Sequence, residues 1–226
     1  MTSSRLGIVL IVLLLVGMSC IDMDNPAMTT QDYKSEVRFV NLSRLGSATV
    51  KLADISFGSL SFGEDSEYKE IDAGSRTLTV EFPESDGSQD TEKQMVFATE
   101  RKGSVFILGD TSGVSYFNAQ ERYIFEAPEN LNPDWTNPDS AIVRIFSALS
   151  DFDEVSVNVV GNNSSFLAEG LSYGDDSNYQ AIFPDNYSVS VDTNDVSVFS
   201  DSLSFAKGGR YTVAVYDTLM KIFDDD

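Results

Sequence analysis

Few residue types in this sequence could do chemistry. Among 226 residues there is no histidine and a single cysteine, Cys20. Without an imidazole, neither a Ser-His-Asp nor a Cys-His arrangement can be assembled, and histidine-ligated transition-metal sites are excluded as well. What remains is carboxylate chemistry: Asp and Glu number 36 against 15 Lys and Arg, for a formal net charge of −21. Glycoside hydrolysis needs only two well-placed acids. No pair stands out by spacing from so acidic a background, so the expectation is a protein that is not an enzyme and uses no cofactor. Calcium is the other use of clustered carboxylates, with Asp151, Asp153 and Glu154, or Asp175 and Asp176, as oxygen donors. Neither run follows the calcium-loop pattern of alternating Asp or Asn, a glycine and a distant Glu, and no metal site is assigned. The terminal Asp224-Asp225-Asp226 reads as a solvated tail. Phosphate backbones and anionic membrane surfaces are both bound through clustered cations. The charge balance therefore argues against a nucleic-acid partner and against membrane attachment through basic residues.

The cysteine has a telling position. Arg5 is followed by an apolar run from Leu6 to Met18, then Ser19 and Cys20. That run is shorter than the roughly 20 apolar residues a membrane span requires, yet it suits the core of a cleaved signal peptide. The segment resembles the lipobox of bacterial lipoproteins, with Gly17 and Ser19 where such boxes usually carry Leu and Ala or Gly. The resemblance implies that residues 1–19 are a signal peptide and that Cys20 becomes the mature, lipid-bearing N-terminus. Acyl chains then anchor the protein, each buried methylene adding about 0.8 kcal/mol. Ile21 stands where enteric lipoproteins retained at the inner membrane carry aspartate, so delivery to the outer membrane is expected, on its periplasmic face or at the cell surface. Residues 20–34 are polar and aperiodic, a flexible tether whose last fourteen residues reach at most about 48 Å when extended.

Stepwise alternation of apolar and polar residues marks the elements beyond the tether. Val155, Val157 and Val159 alternate with Ser156 and Asn158; Leu78, Val80 and Phe82 alternate with Thr79 and Glu81. Such runs are half-buried strands, and the Gly, Asp, Asn and Ser clusters between them are turns. The chain also repeats itself. Leu60-Ser61-Phe62-Gly63-Glu64-Asp65-Ser66-Glu67-Tyr68 recurs as Leu171-Ser172-Tyr173-Gly174-Asp175-Asp176-Ser177-Asn178-Tyr179, an offset of 111. Val37-Arg38-Phe39-Val40 pairs with Val143-Arg144-Ile145-Phe146 at 106, which places five inserted residues between these blocks, near Gly161–Phe166. Gly103–Ile107 aligns with Gly209–Val213, again at 106. A Pro-rich connector at 127–139, holding Pro128, Pro133, Trp135 and Pro138, separates the copies. The expected fold is all-β: two tandem antiparallel β-sandwich, immunoglobulin-like domains at 35–126 and 140–226.

Within the repeated block, glycine supplies a turn, Asp65 and Asp176 or else Ser66 and Ser177 bond the local backbone, and Tyr68 and Tyr179 pack on the core edge. These two tyrosines and Trp135 are also the candidate ligand contacts. The Val-Arg-Phe-Val-Asn opening at 37–41, the Phe-Gly…Ser…Tyr block, Ala73-Gly74 before a Thr-rich strand and the closing Gly-Gly-Arg-Tyr-Thr-Val at 208–213 resemble the bacterial domain of unknown function 4397, often found in tandem in exported lipoproteins. That resemblance implies fold and location and brings no catalytic residue. The expected role is non-catalytic binding or scaffolding in the cell envelope, with an extracellular glycan or an envelope protein as partner. The alternative is a surface carbohydrate-binding or adhesion module, which requires exposed aromatic rings in a plane or groove.

Overall fold

In the computed structural model, described over residues 33–84, 89–110, 113–123, 139–193 and 196–225, the alternating segments are strands. Met1–Tyr33 separates as one unit and Lys34–Asp226 as a second, and the strands belong to the second. The signal segment, Cys20, most of the tether and the connector with Trp135 lie outside the described residues.

The first half contributes β1 (Lys34–Asn41), β2 (Ala48–Leu52), β3 (Ile55–Leu60), β4 (Lys69–Asp72), β5 (Gly74–Glu81), β6 (Thr91–Phe97), β7 (Arg101–Asp110) and β8 (Gly113–Tyr123). The second contributes β9 (Ala141–Ala148), β10 (Val155–Val160), β11 (Ser165–Leu171), β12 (Gln180–Ile182), β13 (Asn186–Thr193), β14 (Val196–Ser204), β15 (Arg210–Tyr216) and β16 (Leu219–Asp224). Each half forms two four-stranded sheets, ordered β4-β1-β7-β8 and β3-β2-β5-β6 in the first, β12-β9-β15-β16 and β11-β10-β13-β14 in the second. Strand for strand, the order is the same. The ladders are antiparallel apart from β1 with β7 and β9 with β15, which run parallel. That exception arises because the seventh strand of each half crosses from the other sheet and returns beside the first strand in the same direction.

Cross-strand pairing corrects two details of the repeat. Arg38 lies opposite Ser104 and Arg144 opposite Thr212, so β7 and β15 stand 108 residues apart (212 − 104) rather than 106. A slip of two keeps every side chain on its own face, and apolar alternation cannot detect it. Val50 faces Val80 and Val157 faces Val191, giving offsets of 107 (157 − 50) and 111 (191 − 80). One inserted residue therefore precedes β10, and the other four fall between β10 and Leu171.

Val37, Phe39, Val50, Leu78, Val80 and Ile107 fill the first sandwich, and Val143, Ile145, Val157, Val189, Val213 and Val215 the second. A third apolar cluster lies between the halves. It joins Val40, Phe106 and Leu108 of the first half to Phe146, Ala214, Tyr216 and Phe223 of the second, and Phe106 stacks on Phe146 with ring centroids 4.4 Å apart. The β4-β1-β7-β8 sheet thus packs its outer face against that of β12-β9-β15-β16. All eight residues of β9 are buried, and so are seven in succession along β7. Burying each large apolar side chain is worth about 1.5–3 kcal/mol, so this junction binds the two halves into a four-layer body.

Candidate functional site

Two arginines occupy strand positions that face the junction. Arg38 on β1 and Arg144 on β9 are equivalent residues, each only 4% exposed. A buried guanidinium must find acceptors for its rigid donor fork. The Arg38 Nε donates to Ser104 Oγ at 2.9 Å, its Nη1 to the Asp224 carbonyl at 2.6 Å, and its Nη2 to Asp225 Oδ1 at 2.6 Å. The Arg144 Nε donates to Thr212 Oγ1 at 2.9 Å and its Nη1 to Asp176 Oδ2 at 3.2 Å. Each guanidinium also lies 4.8 Å from the centroid of a tyrosine ring, Arg38 over Tyr68 and Arg144 over Tyr179.

Asp225 closes this network, and here the expectation of a solvated tail is wrong. Its residue is 1% exposed. Besides the bond from Arg38, its carboxylate accepts from Thr212 Oγ1 at 2.6 Å and from the Tyr179 hydroxyl at 3.0 Å. The reason is register: Tyr211 faces Asp224 at the end of the β15–β16 ladder, and the next residue is delivered to the arginines. Burial pushes the Asp225 carboxyl up from its ordinary value, against the pull of Arg144 and Arg38. Burial likewise raises Tyr68 and Tyr179 and lifts Asp176 despite Arg144.

The repeated block explains how these groups arrive. In each copy the backbone pairs with the first strand: Ser66 N–H donates to the Phe39 carbonyl at 2.8 Å, and Ser177 N–H to that of Ile145 at 2.8 Å. The Ser66 and Ser177 hydroxyls accept from the Phe39 and Ile145 amides. The same hydroxyls donate to the adjacent Glu67 and Asn178 carbonyls, at 3.1 and 3.2 Å, and Glu64 and Asp175 add local turn bonds, their carboxylates accepting from the Ser61 and Ser172 amides. Asp65 and Asp176 turn toward the arginines, and Lys221 of the second half approaches Asp65 at 3.4 Å. Each block also reaches across the junction. A Cβ built on Gly63 would meet the Tyr216 hydroxyl at 2.7 Å, and one on Gly174 would meet Leu108 at 3.4 Å. Phe62 packs edge-on against Tyr216, centroids 5.1 Å apart. Tyr68 and Tyr179, expected at the core edge or at a ligand, are therefore brought together around the arginine pair.

Elsewhere the acids form no comparable assembly among the described residues. Asp151 accepts a two-pronged contact from Arg44, both bonds 2.8 Å. Among the described residues, no group of three His, Cys, Asp or Glu side chains is placed to hold a metal. Within Lys34–Asp226, Phe183 is the most exposed of the described aromatic rings, at 58%. A depression of about 470 Å³ lies on the outer sheet of the second half, with Ser156, Asn158, Leu167, Glu169 and Asp192 among its lining.

Residues 141–225, the span of β9 to β16, match the family described as "Domain of unknown function (DUF4397)". No curated protein matches the chain. Among solved structures, a leucine-rich repeat protein from Bacteroides thetaiotaomicron is similar at 11% identity and a TM-score of 0.21, with 83% of this chain covering 26% of that one. The family 26 carbohydrate-binding module CBMbc of Eubacterium rectale Amy13K, solved with maltoheptaose, is similar at 9% identity and a TM-score of 0.28, over 85% of this chain and 97% of that one. Likeness at these TM-scores carries no argument about either fold or ligand.

Proposed function

We propose that this chain is a non-catalytic lipoprotein of the bacterial cell envelope, built from two tandem copies of the domain matched at 141–225 and acting by binding or scaffolding. Cys20, lipid-modified after loss of residues 1–19, anchors it to the outer membrane, and the tether lets the double sandwich stand off the bilayer. Its partner is an envelope protein or an extracellular glycan.

The observation that carries this reading is the fate of the chemically capable groups. Asp225, Asp176, Tyr68 and Tyr179 have the shifted protonation typical of active sites, but they and the buried Arg38 and Arg144 turn their donors and acceptors on one another at the junction. A network satisfied in this way rigidifies and specifies a structure. With the interior so committed, recognition belongs to the loops and outer sheets, where variation leaves the core intact.

Metabolic labelling with a palmitate analogue, followed by mass spectrometry of the N-terminal peptide, tests the anchor. The expected result is an acylated Cys20 at the mature N-terminus, with Cys20→Ser moving the protein into the soluble fraction. An unmodified Cys20 in membrane-associated protein would overturn the proposal.

A further inference from the structure

Two sheet faces of the double sandwich remain open to solvent, the outer faces of β3-β2-β5-β6 and β11-β10-β13-β14, and they differ in chemistry. On the first, side chains satisfy one another: Gln94 donates to Thr77 Oγ1 at 2.5 Å and accepts from Ser75 Oγ at 3.1 Å. Lys51, Glu81 and Glu92 on this face mix both signs of charge. The second face is paved with short groups. Register puts Leu167, Asn158, Ser190 and Ser200 in one row across the four strands, and Ser165, Val160, Ser188 and Ser202 in the next. Leu167 and Val160 stand 50% and 45% exposed, as apolar platforms among hydroxyls. A β-bulge between Val155 and Val157, opposite Gly170 at φ +65°, opens the depression of about 470 Å³ beside them.

The charge here is of one sign. From Ile145 to Ala206 the sequence holds ten acids and not one Lys or Arg. Glu154, Glu169 and Asp192 line the depression, and among the described residues no cation bonds their side chains. We propose that this sheet face docks a Lys/Arg-rich segment of a partner protein, an inference that rests on the chain being a binding module. Long basic side chains suit it on both counts: their aliphatic stems cover Leu167 and Val160, while their charged ends reach Glu154, Glu169 and Asp192. Complementary charge of this kind selects the partner and speeds encounter. A glycan finds no aromatic platform on these two rows. A second copy of the chain would bring a second large negative charge against the first.

The test uses the full-length protein and a fluorescein-labelled decalysine peptide, read by anisotropy at low and high salt. Glu169→Lys with Asp192→Lys should weaken binding at least tenfold. The same charge change on the first half, Glu81→Lys with Glu92→Lys, should weaken it less than threefold. Thermal melts confirm that each variant folds; should the lysine pair fail to, Glu169→Gln with Asp192→Asn takes its place, with an expected loss of at least threefold. Equal losses from both faces would show net charge alone at work and overturn the proposal, as would no binding at low salt. So would salt-insensitive self-association, seen by sedimentation, that the second-half variants abolish. None of these outcomes depends on the acylation of Cys20, so the anchor and the docking face stand or fall separately.

Discussion

Replacing Asp225 with alanine should destabilise both sandwiches, although the residue is next to last in the chain. The substitution strips an acceptor from three donors: Arg38 Nη2 at 2.6 Å, Thr212 Oγ1 at 2.6 Å and the Tyr179 hydroxyl at 3.0 Å. Hydrogen bonds to a charged group contribute about 1.5–3 kcal/mol each, but losses at one atom group do not add. The better guide is the cost of removing one partner from a buried ion pair, about 3–5 kcal/mol, because the remaining guanidinium stays buried with only the more distant Asp65 carboxylate, at 3.5 Å, opposite it. Asp225→Asn keeps an acceptor oxygen in place and should cost about 1 kcal/mol, the net value of an ordinary hydrogen bond. Urea denaturation followed by circular dichroism gives both numbers. Hydrogen exchange should show amide protection falling in β1 of the first half as well as in β15 and β16. An alanine variant within about 1 kcal/mol of wild type, or protection lost in the second half alone, would refute the claim that this carboxylate couples the two halves.

Two further outcomes follow from the same junction. Gly63→Ala should cost clearly more than Gly58→Ala: both glycines have positive φ, which penalises alanine by about 1–2 kcal/mol, but only at Gly63 does the new methyl meet the Tyr216 hydroxyl, whereas Gly58 has open space. Equal urea midpoints for the pair would mean that the repeated block does not press on the opposite half. Protonation supplies the other. Burial raises the folded-state pKa of Asp225 above its ordinary value of 3.8, so the folded protein takes up this proton before the unfolded chain does. The resulting stabilisation is complete below the unfolded value and is lost as pH rises through the folded one. The stability of wild type relative to Asp225→Asn should therefore grow as pH falls from neutrality toward 3.8, and a flat difference would contradict the assignment.

Much of the architecture is legible in the chain, for definite reasons. Where one face is buried and the other wet, as in β5 and β10, apolar and polar residues alternate, and the strands can be read directly. Val37-Arg38-Phe39-Val40 and Val143-Arg144-Ile145-Phe146 break that rule because both faces of β1 and β9 are covered, one by its own sandwich and the other by the opposite half. The lone arginine in each run is the available clue to a polar group inside that second contact. Asp225 offers no such clue, since an acidic terminus is ordinarily solvated and only the pairing of β16 shows where it ends. The repeated block is legible as a turn. Its function as a brace depends on residues 153 (216 − 63) and 66 (174 − 108) positions away, which local pattern does not encode.

The bond from Arg38 to Asp225 spans 187 residues of sequence. A polypeptide is made from its N-terminus, and contacts of such separation must wait for the intervening loop to close. The first sandwich can assemble early, but until the second half and Asp225 emerge its β1 guanidinium lacks this acceptor and its outer sheet lacks a cover. Completion of the body thus waits for β16 and Asp225 to be made, and a chain cut before Asp225 would leave the Arg38 guanidinium with Asp65, at 3.5 Å, as its carboxylate neighbour.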